Sequence, residues 1–170
     1  ALAASEESEL EVLHTEFKAD LDAYLGALGP EARVRSIADL IAFDEAHADV
    51  ELRFFGHEHL VTALGKGPLT NPTYRAALER NRRLAGREGI DAVMDRHRLD
   101  ALVAPTTHPA FPIDLVNGDH WLGGASTVPA LAGYPALSVP AGHVSGLPVG
   151  LLFFGRAFSE PTLVRLAYAF

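Results

Sequence analysis

Apolar residues recur at every third or fourth position near the start of the chain, which is the spacing of one face of an α-helix. Ser8 and Glu11 have the spacing of a capping box, so we predict that the helix starts at Ser8. Gly29 and Pro30 predict its end. The apolar positions of this amphipathic helix are Leu10, Leu13, Phe17, Leu21, Tyr24, Leu25 and Leu28.

Two more helices are indicated before residue 98. A short helix is predicted to start at Ser36, with Ile37 and its apolar neighbours facing inward. The stretch after it is broken by glycine and proline into a turn of helix and loops. A long helix is predicted from Pro72 to about His97, weakened at its two glycines, Gly86 and Gly89.

The pattern changes near residue 99. The run "LDALVAPT" predicts a buried strand that directly follows a helix, and residues 108–128 predict a long irregular loop. "ALSVP" and "VGLLFFG" predict two strands of an antiparallel hairpin, covered on both faces, with Pro140 and Pro148 at the strand boundaries. A final helix is predicted to start near Ser159. The chain is therefore predicted to be helical over 1–98, rich in strands and loops over 99–158, and helical again over 159–170.

Composition narrows the class of protein. A chain of 170 residues that is 48% apolar is long enough for one domain with a buried core. A net charge of -8 argues against general binding to nucleic acid or to anionic membranes. Cysteine is absent, and no apolar run approaches the roughly 20 residues of a membrane helix. We therefore expect a soluble, cytoplasmic protein that binds neither nucleic acid nor membrane.

Several segments, taken in order, resemble one enzyme family. They are "LDALVAPT", "DLVNGDHWLGG", "VPALAGYPALSVPAG", "GLPVGLLFFGR" and "EPTLVRLAYAF", preceded by "EFKADLDAYL" and "IADLIAFDEAHAD". This order resembles the C-terminal part of amidase signature enzymes, over nearly the whole chain. The absence of a first methionine and the amphipathic last residues also lead us to expect a piece of a larger protein.

The resemblance implies an α/β fold with a mixed central sheet. It also implies amide hydrolysis by a serine nucleophile, a bridging serine and a lysine base, without metal or organic cofactor. In the family these three residues belong to an N-terminal signature region, so we expect no catalytic residue in this chain. Neither Lys18 nor Lys66 has a serine at Ser-x-x-Lys spacing. We interpret Ser126, in "GGAST", as an imitation of the signature and not as a nucleophile.

Four residues are predicted to contact substrate. Thr106 and Thr107 end a predicted strand, where α/β sheets present ligands, and the resemblance puts this edge near the substrate pocket. Asp114 lies in the long loop with other acid-base groups, although it could equally bond the loop's own backbone. Trp121 could line the pocket or anchor the loop in the core.

We therefore predict the C-terminal portion of an amidase acting on a small-molecule or peptide amide, with the remainder of the amidase chain as its partner. One alternative is a noncatalytic binding or assembly module that pairs with another chain. Part of a glutamine-dependent tRNA amidotransferase subunit is a second alternative. The run His57-Glu58-His59 does not have the spacing of a metal site on a helix, and no metal is expected.

Overall fold

A computed structural model describes residues 5–170 and shows an α/β protein in which helix exceeds strand. The chain divides into two compact units, Glu6–Leu78 and a second that includes Glu79–Phe170. The helices are α1 (Glu6–Gly26), α2 (Ile37–Ala46), α3 (Ala48–Glu51), α4 (Glu58–Leu64), α5 (Pro72–Asn81), α6 (Ala92–His97), α7 (Thr127–Ala132) and α8 (Glu160–Ala169). The strands are β1 (Leu102–Pro105), β2 (Ala136–Val144) and β3 (Leu147–Phe154).

Helix α1 begins before the predicted cap. Its first residue is Glu6, so Ser8 lies inside the helix, and the predicted capping box is wrong. Three carboxylates in the first turn, Glu6, Glu7 and Glu9, favour the earlier start because they complement the positive end of the helix dipole. No helix among residues 5–170 is long and apolar enough to cross a membrane.

The buried face of α1 is largely polar. Ser8, Thr15 and Leu25 are its buried residues, whereas Leu13 on the apolar face is 52% exposed. Lys18 Nζ donates to the carbonyl oxygens of Leu64 (2.9 Å) and Lys66 (2.6 Å). These bonds join α1 to the end of α4 and the residues after it.

The other helices of this unit follow the sequence closely. Ser36 caps α2, and its Oγ accepts a hydrogen bond from the backbone N of Asp39 at 3.1 Å. Ile37 is only 1% exposed, and its backbone N donates to Asp22 Oδ1 on α1 at 2.7 Å. The predicted start at Ser36 and the inward position of Ile37 are confirmed.

The long helix predicted from Pro72 to about His97 is confirmed as an unbroken helical run, but its middle is π-helical over Arg82–Asp91. Both glycines lie in this π-helical segment. A Cβ on Gly86 would stand 3.2 Å from the Tyr134 hydroxyl, so a glycine here lets Tyr134 approach closely. Tyr134 then donates to Asp91 Oδ2 at 2.7 Å, which ties the segment to the residues after α7.

The three strands form one antiparallel sheet in the order β1-β3-β2. The predicted hairpin is confirmed, with Ala136 opposite Phe154 and Val139 opposite Leu151. The strands are longer than predicted, so Pro140 and Pro148 lie within them and not at their boundaries. Pro140 is tolerated because the register shifts directly after it, at a β-bulge before Gly142.

The core of the second unit lies between one sheet face and the helices. It is formed by Ala85, Ile90, Met94, Ala132, Leu152 and Phe154. On β2, however, Ala136, Ser138 and Pro140 are exposed, so the prediction that both strands are covered on both faces is wrong for β2. β2 is an edge strand of this sheet, and an edge strand has fewer neighbours to cover it. Helix α7 also begins inside the predicted loop, where the residues show no helical periodicity.

Candidate functional site

A cavity of about 580 Å³ opens beside the carboxyl end of β1. All three strands contribute to its wall, and two stretches of the following loop, 107–109 and 122–125, complete it. None of the lining residues is Asp, Glu, Lys or Arg, and only Thr107 and His108 present polar side chains. A concave, mostly apolar site with few polar groups at a strand end is typical of a small-molecule pocket.

Two hydroxyls meet across the sheet next to this cavity. Thr106 Oγ1 and Ser138 Oγ are 2.6 Å apart, and between them lies Gly150 of β3. A Cβ on Gly150 would stand 2.7 Å from the serine oxygen and 2.8 Å from the threonine oxygen. Glycine is therefore required here because any side chain would separate the two hydroxyls. One of the two hydroxyl protons forms the hydrogen bond within the pair, and the other is available to a ligand or to solvent.

Backbone pairing fixes the base of the loop. Thr106 N donates to Gly150 O at 2.8 Å, and Ala125 N donates to Thr106 O at 3.1 Å. Thr107 forms an isolated bridge with Gly124, and its Oγ1 donates to Gly123 O at 3.2 Å. The two ends of the loop are thus held together at the mouth of the cavity, although the loop itself is irregular.

His108 is packed between two aromatic rings of the loop. Its ring centroid is 5.0 Å from that of Phe111 and 4.7 Å from that of Trp121, the latter edge to face at 86°. Its Nδ1 lies 2.7 Å from the carbonyl oxygen of Pro109. Trp121 is 65% exposed, so it covers the histidine from the solvent side and is not buried in the core.

Asp114 builds the loop's own turn. Its Oδ1 accepts hydrogen bonds from the backbone N atoms of Val116 and Asn117, both at 2.9 Å, and its Oδ2 accepts from Asn117 Nδ2 at 2.9 Å. The bonds from Asn117, followed by that from Val116, lower the pKa of Asp114 because they stabilise its charged form.

The four predicted substrate residues therefore have different surroundings. Thr107 lines the cavity. Thr106 does not line it but lies against Gly150, which does. Trp121 contacts the lining residue His108. Asp114 is not among the lining residues in the described part of the chain. Contact of any of the four with substrate stays a prediction.

Sequence reasoning did not single out His108, Ser138 or Gly150. Gly150 carried a usable signal, because a glycine inside an apolar strand often marks a close approach by another group. Ser138 had no distinguishing signal, because it is a single hydroxyl residue in an apolar run. The only signal for His108 was its position directly after the two threonines. Their assembly depends on strand register, which the sequence did not specify residue by residue.

The lysines and histidines of the other unit have structural partners. Lys66 Nζ is 2.5 Å from Glu11 Oε2, and Lys18 donates to two carbonyls as described above. His57 Nδ1 is 3.2 Å from Asp44 Oδ2, and His59 Nδ1 is 3.0 Å from His14 Nε2. Among residues 5–170, no cluster of three or more His, Cys, Asp or Glu residues could hold a metal ion.

These features, a neutral pocket at a strand end with loop-borne polar groups, are typical of a small-molecule site in an α/β protein. The sequence model of the amidase family matches residues 10–164. The chain therefore belongs to the amidase signature family.

Among relatives, the chain is 37% identical over 161 residues to a probable amidase of Arabidopsis thaliana, covering 93% of this chain and 28% of that protein. It is 46% identical over 78 residues to a glutamyl-tRNA(Gln) amidotransferase subunit of Geobacillus kaustophilus, covering 43% of this chain and 16% of that protein.

Among solved structures, the chain resembles the native peptide amidase from Stenotrophomonas maltophilia, with a TM-score of 0.86 and 49% identity over 98% of this chain and 33% of that one. It also resembles the peptide amidase PAM in complex with the competitive inhibitor chymostatin, with a TM-score of 0.90 and 50% identity over 99% of this chain and 34% of that one. The chain thus spans about a third of the length of these structures.

Proposed function

We propose that this chain is the C-terminal portion of a serine-dependent amidase that hydrolyses the C-N bond of a small-molecule or peptide amide. The chain supplies sheet strands and one wall of the substrate cleft, and the two serines and the lysine of the reaction belong to the remainder of the polypeptide. The observation that carries this proposal is the neutral cavity at the end of β1 in a chain that belongs to the amidase family.

The proposed reaction follows the chemistry of an activated serine. The serine oxygen attacks the amide carbonyl carbon while the lysine, acting through the bridging serine, takes its proton, and backbone N-H groups stabilise the oxyanion. The C-N bond then breaks and the leaving nitrogen receives a proton. Water attacks the resulting ester and releases the acid and the free serine.

The described lysines support a triad outside this chain. Lys66 Nζ is bonded to Glu11 Oε2, so this amine already has a structural partner within the chain. Lys18 donates to two carbonyls at once, and those bonds require its protons. Ser126 directly precedes α7, and its hydroxyl makes no capping bond to that helix.

A third of a fold should leave surface for the rest to cover, and α1 has such a surface. Phe17 is 44% exposed and Tyr24 is 65% exposed on the same helix whose polar face is buried. Large exposed apolar patches mark interaction sites. We assign this face to the remainder of the amidase chain.

The test compares two proteins. The complete polypeptide should release ammonia from peptide C-terminal amides, whereas residues 1–170 alone should release none. Ser126→Ala in the complete polypeptide should leave turnover unchanged. Turnover by residues 1–170 that is lost in Ser126→Ala would overturn the proposal.

A noncatalytic assembly module is the second candidate, and the same exposed face of α1 favours it. The size of the native material separates the two candidates. A single polypeptide about three times as long as this chain, as in the similar structures, supports the amidase. A 170-residue chain that is isolated in a stable complex with a separate protein supports the assembly module. Glutamine-dependent release of ammonia in a complex with other subunits would point to the amidotransferase subunit.

A further inference from the structure

The proton of the His108 ring can be placed from its neighbours. Nδ1 lies 2.7 Å from the carbonyl oxygen of Pro109, and a carbonyl oxygen only accepts hydrogen bonds. Nδ1 must therefore carry the hydrogen. In the neutral ring, Nε2 then holds a lone pair and can only accept.

That lone pair has no partner. Nε2 is the one buried side-chain nitrogen or oxygen among residues 5–170 that lacks a hydrogen bond in this structure. Buried polar groups are nearly always satisfied, and an exception calls for a functional or structural explanation. The hydrogen bond from Nδ1 to Pro109 O and the contact with Phe111 restrict rotation of the ring, so the free acceptor is held in a fixed direction.

The cavity that His108 lines defines what could supply the missing donor. Thr107 is the only other lining residue with a polar side chain, and its hydroxyl proton is already used on Gly123 O. The remaining wall is apolar, for example Leu122, Val144 and Leu151. A charged ligand group would lose its hydration here without a counter-charge, so the cavity favours a neutral, apolar group that carries one N-H.

We propose that the cavity holds the apolar side chain of an N-acyl amino acid amide or peptide amide, and that His108 Nε2 accepts a hydrogen bond from the backbone N-H of that residue. This inference rests on the proposed function, because it names the substrate class of the same cleft. His108 is then a specificity residue, because it binds an amide N-H that lies next to an apolar side chain.

Access to Nε2 requires a small rearrangement. Solvent does not reach this atom in the structure, and Trp121 covers the ring edge to face. Because Trp121 is 65% exposed, little packing opposes its movement. Ligand entry moves Trp121 aside and exchanges the contact between the two rings for the new hydrogen bond.

The test measures binding in the complete polypeptide with its nucleophilic serine replaced by alanine, because an active amidase would hydrolyse the titrated amide; every protein compared, wild type at His108 included, carries this replacement. The complete polypeptide is titrated by calorimetry with N-acetyl-leucine amide and with the matched compound in which an ester oxygen replaces the leucine N-H. Wild type should bind the first at least tenfold more tightly. His108→Phe keeps a ring between Phe111 and Trp121 but lacks the acceptor, and it should lose about tenfold in affinity for the amide and none for the ester.

A second variant and a control complete the test. His108→Gln retains an acceptor near the Nε2 position and should keep most of the preference for the N-H compound. His97→Phe alters an exposed histidine at the end of α6 and should bind like wild type. Equal loss for both ligands in His108→Phe, no loss for either, or no binding by wild type would overturn the inference. Selective binding, without ammonia release by the polypeptide that retains its serine, would support it and would contradict the proposed function instead.

Discussion

The two units of this protein bury different kinds of surface. In the unit that contains the sheet, apolar side chains such as Met94 (2% exposed) and Leu152 (4% exposed) form the core. In the unit that contains α1, two of the three buried residues of that helix, Ser8 and Thr15, are polar, while much of its apolar face, for example Leu13 and Tyr24, is exposed. Periodicity identifies which face of a helix is apolar. It does not identify whether the surface that covers this face lies in the same segment of chain.

The largest effect should come from the apolar core. Leu152→Ala removes a side chain that is 4% exposed and should reduce the free energy of unfolding by about 2–5 kcal/mol. Urea unfolding followed by circular dichroism measures this change.

Leu13→Ala is the matched substitution on the exposed face of α1, where Leu13 is 52% exposed. In the 170-residue chain it should change stability by no more than about 0.5 kcal/mol. In the complete polypeptide the cost should rise to at least about 1 kcal/mol, because burial of an apolar side chain is worth that much or more. Equal small costs in both proteins would show that the remainder of the chain does not cover α1.

Overpacking the hydroxyl pair on the sheet should reduce the free energy of unfolding by less than Leu152→Ala does. Gly150→Ala would place a Cβ 2.7 Å from Ser138 Oγ and 2.8 Å from Thr106 Oγ1, and it should cost about 1–3 kcal/mol in the same urea measurement. Gly26→Ala is the control, since a Cβ at Gly26 meets nothing within 4 Å. A Gly150→Ala variant as stable as Gly26→Ala would mean that the two hydroxyls separate without cost.

Tyr134→Phe should cost about 1 kcal/mol, because it removes the hydrogen bond to Asp91. That bond raises the pKa of Tyr134 above its ordinary value, with burial as a smaller cause. The contribution is therefore complete below the ordinary pKa of about 10 and is lost as pH rises through the raised value. Unfolding measured at increasing alkaline pH should show a loss of stability that is smaller in Tyr134→Phe than in wild type.

The smallest effect concerns His14. Burial, and then the neighbouring His59, lower the pKa of His14. The unfolded chain therefore binds this proton more readily, and stability should fall as pH drops from about 6.5 toward the lowered value. His14→Gln should flatten the dependence of the thermal melting temperature on pH between about pH 7 and pH 5. A pH dependence identical to wild type would contradict the assignment.

Local signals in the sequence predicted the elements that depend on neighbouring residues. Ser36 as a cap, the helical run from Pro72 and the hairpin of β2 and β3 are all confirmed. Helix α7 was missed because it is only six residues long and follows a segment rich in turn residues.

The candidate site was only partly predictable for a different reason. Thr106 and Thr107 could be selected because they follow a strand. The pairing of Thr106 with Ser138, 32 residues later, depends on both strands bonding to β3 in the observed register. The lone pair on His108 depends on which atom its Nδ1 meets, and no periodic pattern carries that information.

The bulge after Pro140 determines which side chains of the hairpin tip line the cavity, so the lining can differ without any substitution. Before it, Pro140 lies opposite Gly150, and after it, Gly142 lies opposite Val149, so the hairpin tip presents the reverse alternation of inward and outward residues. Ala141 and Val144 both reach the cavity wall in this arrangement. Deletion of one residue here would rotate the tip by one position and bring a different set of side chains to the cavity wall. Relatives with a chain one residue shorter at this point should therefore have a differently lined cavity even where every aligned residue is the same.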